Sequence, residues 1–221
     1  MKNEKVTKKN NFFIVIVKII CGLILKLVYR TKYFYDDESN GRRIKGRMMV
    51  ISNHVSSFDP AVVLQTFYFR NPHILAADHA YRNRPLSWCM DHIGCIKIEK
   101  NTIDIESYKK IVAVLNNDKV VVVFPEGRIG SKMVDVSEFK PGAILMALRT
   151  NTPILPMYIG KRFGIFRRKS VIIGRQINMF EYVDYRRLSV KDMEDLAENI
   201  RQEVLFLKDK LEKKIYKRRR T

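Results

Sequence analysis

His54 and Asp59 stand five residues apart in the stretch Val50-Ile51-Ser52-Asn53-His54-Val55-Ser56-Ser57-Phe58-Asp59-Pro60, at the mouth of an apolar run. An imidazole exchanges a proton near neutral pH, which makes histidine the usual general base. A carboxylate on its second nitrogen fixes the tautomer and stabilises the imidazolium. Such a pair can deprotonate an alcohol carried by a substrate, so the chain itself need supply no serine or cysteine nucleophile. The same residues also read as turn chemistry alone, with Asp59 as a helix N-cap, Pro60 at the first helical position and His54 filling the turn. Spacing leaves both readings open.

Three further stretches carry residues of chemical interest. In Val120–Ser131, VVVVFPEGRIGS, an unbroken β-branched run leads into Pro125, Glu126, Gly127, Arg128 and Gly130. Glycines let backbone approach a ligand closely, successive amides can cradle an anion, and Arg128 adds a fork suited to phosphate. An ordinary Pro-Gly turn is the alternative. In Gly94–Lys100, GCIKIEK, Lys97 and Lys100 alternate with isoleucines, and Lys100 is placed to reach a phosphate at the same sheet edge. Exposed strand lysines more often do nothing specific. In Thr152–Gly160, TPILPMYIG, prolines bracket an apolar strand that suits core or acyl-chain contact.

These stretches need elements to hold them. Strands are expected at 47–52, 73–77, 95–100, 120–124, 153–160 and 170–177. Helices are expected at 59–69, within 81–94, at 102–117 with Thr102 as cap, and at 140–150. From Ser189 onward, Met193, Leu196, Ile200, Val204, Leu207, Leu211 and Ile215 recur at steps of three or four, one stripe of a long amphipathic helix. Its end, KKIYKRRR, suits a helix C-terminus and anionic lipid, though such a charge run is more often simply solvated. Alternation of strand and helix predicts an α/β domain with a mostly parallel central sheet flanked by helices. In an open sheet of that kind, sites gather beyond the carboxyl ends of strands, where His54 falls.

Bulk properties set limits. The 221 residues suit one α/β domain, and 46% hydrophobic residues can bury a core, which argues against wholesale disorder. The net charge of +19 points to an anionic partner: membrane surface, phosphorylated substrate or nucleic acid. No aromatic-plus-basic nucleic-acid module is recognisable, so no nucleic-acid partner is expected. Cys21, Cys89 and Cys95 form no CxxC pair and imply no disulfide framework. Residues 12–29, FFIVIVKIICGLILKLVY, are apolar apart from Gly22 and two lysines, Lys18 and Lys26, which project within about 80° of each other on a helix. An interfacial anchor with lysines at the headgroups is expected; a core helix and a cleaved signal are the alternatives. The chain therefore divides into a basic and hydrophobic membrane-anchoring segment, 1–34, and a main domain, 35–221, with a polar turn region at 35–45 between them.

Taken together the four stretches resemble the glycerolipid acyltransferase family, in particular 1-acylglycerol-3-phosphate acyltransferases. Asn53, His54 and Asp59 match its Asn-His-x4-Asp motif. Gly94, Ile96 and Ile98 match the second motif, whose final arginine is here Lys100. Phe124, Pro125, Glu126 and Gly127 match the third, after which Arg128 replaces threonine and Ile129 takes the arginine position. Pro153 and Pro156 match the fourth, and Phe139–Ala143 resembles the segment following the third. The resemblance implies acyl transfer from a thioester to the sn-2 hydroxyl of 1-acylglycerol 3-phosphate, giving phosphatidic acid. It implies His54 as base and Asp59 as its orienting acid, with Lys100, Glu126, Gly127 and Arg128 at the phosphate or oxyanion. No metal or resident cofactor is implied; acyl-CoA or acyl-carrier protein is a cosubstrate, and the place of work is the cytoplasmic face of the cell membrane, beside lysophosphatidate. Glycerol 3-phosphate or another lysophospholipid is an alternative acceptor, because the departures fall on the phosphate motifs. A non-catalytic basic protein that binds membrane or nucleic acid is the alternative of a different class; its binding would fall steeply with salt and ignore His54.

Overall fold

The structure, a computed structural model, describes residues 31–36, 44–82, 84–99, 104–130, 135–160 and 169–220, with Ile16, Ile19, Ile20 and Leu23. In chain order its elements are strands β1 (Lys32–Tyr35) and β2 (Met48–Ser52), helix α1 (Asp59–Thr66), β3 (His73–Ala77), α2 (Arg84–Ile93), β4 (Ile96–Ile98), α3 (Ile105–Asn116), β5 (Val120–Val123), α4 (Gly142–Arg149), β6 (Ile154–Ile159), β7 (Ser170–Ile173) and α5 (Val190–Arg220). The strands form one seven-stranded sheet in the order β1-β7-β6-β2-β5-β3-β4. Every pairing is parallel except β6 with β7. The expected α/β class with a mostly parallel sheet is what forms.

Side chains alternate across a strand, and here both faces are covered. Met49 and Ile51 of β2 join Ile111 and Leu115 of α3, Ile144 and Ala147 of α4, and Ile200, Val204 and Leu207 of α5. Met48 and Val50 point the other way, to Val62 and Val63 of α1 and to Phe67. A strand buried on both sides must be apolar at every position, which is why β2, β5 and β6 read as continuous runs. Each such side chain contributes about 1.5–3 kcal/mol on leaving water. The stripe on α5 buries as its periodicity predicts, with Ala197 filling the close approach that larger residues would block.

A proline inside a central strand is unusual, because it lacks a ladder donor. Pro156 is tolerated in β6 for a geometric reason. Its carbonyl accepts the Gly174 amide at 2.9 Å, on the β7 side. The N and C=O of one extended residue point to the same side, so the missing donor faces β7, just where that ladder stops at Met157↔Ile173. The β2 side loses nothing. A side chain on Gly174 would meet Pro156 Cγ at 2.9 Å and Leu207 Cδ1 at 3.0 Å, so glycine is needed at this crossing.

Several boundaries differ from expectation. Strand β1 straddles the end of the segment assigned to the anchor, and it pairs with β7 at the sheet edge; a short run of tyrosines and a phenylalanine beside an apolar anchor gave no separate signal. Helix α1 stops at Thr66, and Tyr68–Arg70 forms a tighter turn closed by left-handed Asn71. The cap of α3 is Asp104, whose carboxylate accepts the Ser107 amide at 2.8 Å; Thr102 lies outside the described residues. Strand β7 ends at Ile173, beyond which the Gly174 amide bonds Pro156 and an isolated bridge joins Ile177 to Ile154. Residues 12–29 lie outside the described residues except for Ile16, Ile19, Ile20 and Leu23, which are helical; the last three are exposed. Among the described residues no helix is long and apolar enough to cross a membrane.

Candidate active site

Strands β2 and β5 run parallel in the register Ile51↔Val123, so their following turns leave the same sheet edge side by side. The turn after β2 leads to α1 on one face; the turn after β5 leads to α4 on the other. The two connections part at the carboxyl edge, the topological point where open α/β sheets form a crevice. His54 and the Phe124–Gly130 loop meet there.

Asn53 fixes where the chain leaves the sheet. Fully buried, its Oδ1 accepts the Ile159 amide at 2.8 Å and its Nδ2 donates to the Ile159 carbonyl at 3.0 Å. The side chain imitates one more backbone rung on β6, beyond the last strand pair Ser52↔Met157. His54 follows at once, its ring stacked on Phe124 with centroids 4.4 Å apart. Its amide donates to Glu126 Oε1 at 2.8 Å, and its carbonyl accepts the Gly130 amide at 2.6 Å. Backbone and ring are thus held from the neighbouring strand's loop.

His54 Nδ1 lies 3.2 Å from Asp59 Oδ2, and the histidine side chain keeps 16% of its surface open while Asp59 keeps none. The same Oδ2 accepts the amides of Val55 at 2.6 Å and Ser56 at 2.7 Å. Asp59 is therefore the first residue of α1, and its carboxylate folds back over the preceding turn; it does not cap the helix as the turn-chemistry reading required. Its Oδ1 pairs with the ammonium of Lys169. Burial alone would push this carboxyl up. The His54 bond, the Lys169 charge and the Ser56 amide outweigh it and hold Asp59 below its ordinary value. An ionised Asp59 places the imidazole proton on Nδ1 and leaves Nε2 to accept another.

The remaining expected site residues separate. Glu126 is buried, and its two oxygens take the His54 amide and, at 3.2 Å, the Ser137 amide. In this position the carboxylate braces the two turns through the amides it accepts. Gly127 has φ +64°, a left-handed conformation that favours glycine, and its amide closes the turn onto the Phe124 carbonyl at 3.1 Å. Arg128 and Ile129 are exposed at the crevice. Lys100 lies outside the described residues. Gly94 of the second motif ends α2: it has φ +87°, and the Gly94 and Cys95 amides both return to the Met90 carbonyl.

Lys169 had no signal in the sequence. It is one of several basic residues in Lys161–Lys169, KRFGIFRRK, and only the β6–β7 ladder selects it. Asn53 was legible as a motif member, but its rung on Ile159 required the β2–β6 neighbourhood.

The chain is similar to known proteins in sequence and in fold. A 1-acyl-sn-glycerol-3-phosphate acyltransferase of Borreliella burgdorferi is 26% identical over 168 residues, 73% of this chain and 66% of its own length. A probable 1-acyl-sn-glycerol-3-phosphate acyltransferase of Mycoplasma genitalium is 30% identical over 176 residues, 71% of this chain and 64% of its own length. The chain thus spans just under two-thirds of each of these relatives. The crystal structure of the 1-acyl-sn-glycerophosphate (LPA) acyltransferase PlsC from Thermotoga maritima superposes with a TM-score of 0.61 at 16% identity, covering 88% of this chain and 79% of that one, which establishes a common fold. The Acyltransferase family model matches residues 28–160, a span that contains His54, Asp59, the Phe124–Gly127 loop and β6. The chain belongs to the Acyltransferase family.

Proposed function

We propose that the protein transfers an acyl group from a thioester to the free sn-2 hydroxyl of 1-acylglycerol 3-phosphate, forming phosphatidic acid for phospholipid synthesis. The observation that carries this reading is the His54–Asp59 contact at 3.2 Å, at an open position on the carboxyl edge of the sheet. His54 Nε2 takes the hydroxyl proton as the oxygen attacks the thioester carbonyl. The resulting oxyanion needs donors. Within the Phe124–Gly130 loop the amides of Gly127 and Gly130 already serve the Phe124 and His54 carbonyls, and those of Arg128 and Ile129, on the exposed side of the loop, are assigned to that role. Collapse of the intermediate breaks the carbon–sulfur bond, and His54 returns its proton to the departing thiolate. The step uses no redox change and no resident cofactor; acyl-CoA or acyl-carrier protein enters as cosubstrate. Arg128 and Lys100 are assigned to the acceptor phosphate.

The acceptor is a lipid, so the site must work at a bilayer. Support comes from the net charge of +19, which suits the anionic cytoplasmic face of the cell membrane. It also comes from Ile19, Ile20 and Leu23, which are 47%, 52% and 56% exposed on one helix face. Phe58, between the two site residues, is 57% exposed and Ile129 is 47% exposed, so apolar groups flank the crevice as well. The test is incubation of the purified chain in phospholipid vesicles with labelled acyl-CoA and acyl-carrier protein against lysophosphatidate, other lysophospholipids and glycerol 3-phosphate. Phosphatidic acid formation that disappears in His54→Ala is expected. Transfer to glycerol 3-phosphate or another lysolipid alone would move the acceptor assignment, and full activity in His54→Ala would remove the base.

A further inference from the structure

Lys169 is the last residue before β7, and its carbonyl accepts the Lys32 amide of β1 at 2.8 Å. The Gly160 amide bonds the Ser170 carbonyl at 2.8 Å, so the antiparallel ladder fixes where Lys169 begins. Its side chain is 2% exposed and its ammonium meets Asp59 Oδ1 across 110 residues of sequence. That oxygen is the one His54 does not use. Stability alone explains such a pair poorly, since an apolar pair of similar volume usually does as well. What the ammonium does supply is charge at the back of the acid that faces the base.

We propose that Lys169 is a positioning residue for the acyl-transfer base: it aims the Asp59 carboxylate and offsets its charge, and thereby sets how tightly His54 holds its proton. This rests on the assignment of His54 as base. Charged groups reach the cluster from each side. His54 and Asp59 come from the β2–α1 turn, Glu126 from the β5 loop through the His54 amide, and Lys169 from the start of β7; Lys140 lies one residue further out, against Gly127. The balance of these charges gives the sign. With the ammonium removed, Asp59 keeps the Val55 and Ser56 amides and its negative charge acts undiluted on the imidazole. The imidazolium is then favoured, and more base is lost at a given pH.

The experiment compares pH profiles of kcat/KM for the full-length chain in vesicles, using whichever acceptor the wild-type protein acylates. In Lys169→Met the acid limb moves up by about one pH unit. At the plateau kcat falls about tenfold, a fraction of the ~10²–10⁴ that a general base supplies, while both KM values hold. Lys169→Arg keeps the charge and restores the wild-type limb. Circular dichroism confirms folding, and if Lys169→Met does not fold, Lys169→Gln is read by the same criterion. An acid limb that does not rise in the uncharged variant, while wild-type activity still depends on His54, overturns the proposal. Wild-type activity that survives His54→Ala instead overturns the base assignment, which keeps the two failures apart.

Discussion

Replacing Asp59 with Asn keeps the shape of the side chain and removes its charge. The four contacts of the carboxylate determine the outcome. If the amide oxygen stays on the Val55 and Ser56 amides, the new NH2 group points at the Lys169 ammonium, donor against donor. If the amide flips, NH2 meets two backbone donors and the His54 ring. Either orientation takes the Asp59 charge away from the Lys169 ammonium, and breaking a buried pair from one side costs about 3–5 kcal/mol. Against a total stability of about 5–15 kcal/mol, Asp59→Asn should unfold at markedly lower denaturant while remaining folded in buffer. The rate should fall further than stability suggests, on the order of 10⁴-fold, because the imidazole loses its enforced tautomer and its imidazolium its support. Adding Lys169→Met to Asp59→Asn removes the ammonium that faces the new amide, so the double variant should regain about 2 kcal/mol without regaining activity. Urea melts followed by circular dichroism give the stability, and labelled acyl transfer in vesicles gives the rate. An Asp59→Asn protein that keeps a tenth of wild-type activity, or loses under about 1 kcal/mol, refutes this account of the cluster.

Asn53→Ala strands the backbone N–H and C=O of Ile159 away from water and should cost about 1–3 kcal/mol in denaturant melts, with activity falling because His54 leaves the sheet less sharply. Asp59 is held below its ordinary value, so its contribution to stability is complete above the unfolded value near pH 4 and is lost as pH falls through the lower folded value. Acid titration of wild-type unfolding should show that loss below about pH 4, and Asp59→Asn should lack it. Arg128→Ala should raise the KM for a phosphorylated acceptor about tenfold or more while leaving the KM for the thioester unchanged; equal effects on both would place Arg128 elsewhere.

Local chemistry made much of the molecule legible. Runs such as VVVV and ILPMYI are apolar at every position because both sheet faces are covered, and their alternation with helical segments declared a mostly parallel α/β core. The stripe on α5 buried as its spacing required, since a helix face is a property of one segment. Boundaries were less legible where they depend on partners. Strand β1 is held by β7, and β7 stops where Gly174 must pass under Pro156 and Leu207.

The same division runs through the site. His54 and Asp59 could be offered as a pair from the sequence because one turn spans five residues, and the family resemblance, not the spacing, favoured that pair over turn chemistry. The bond from the His54 amide to Glu126 could not be read from the sequence, because the β2–β5 register brings the two turns alongside. Lys169 could not be singled out from its basic neighbours, because the strand ladder and not the composition of the loop turns its ammonium inward. The amino-acid sequence determined which groups can exchange a proton and which runs must be buried. The tertiary structure alone decided which charges, more than a hundred residues apart, share one carboxylate, because strand order and register, rather than separation along the chain, set those distances.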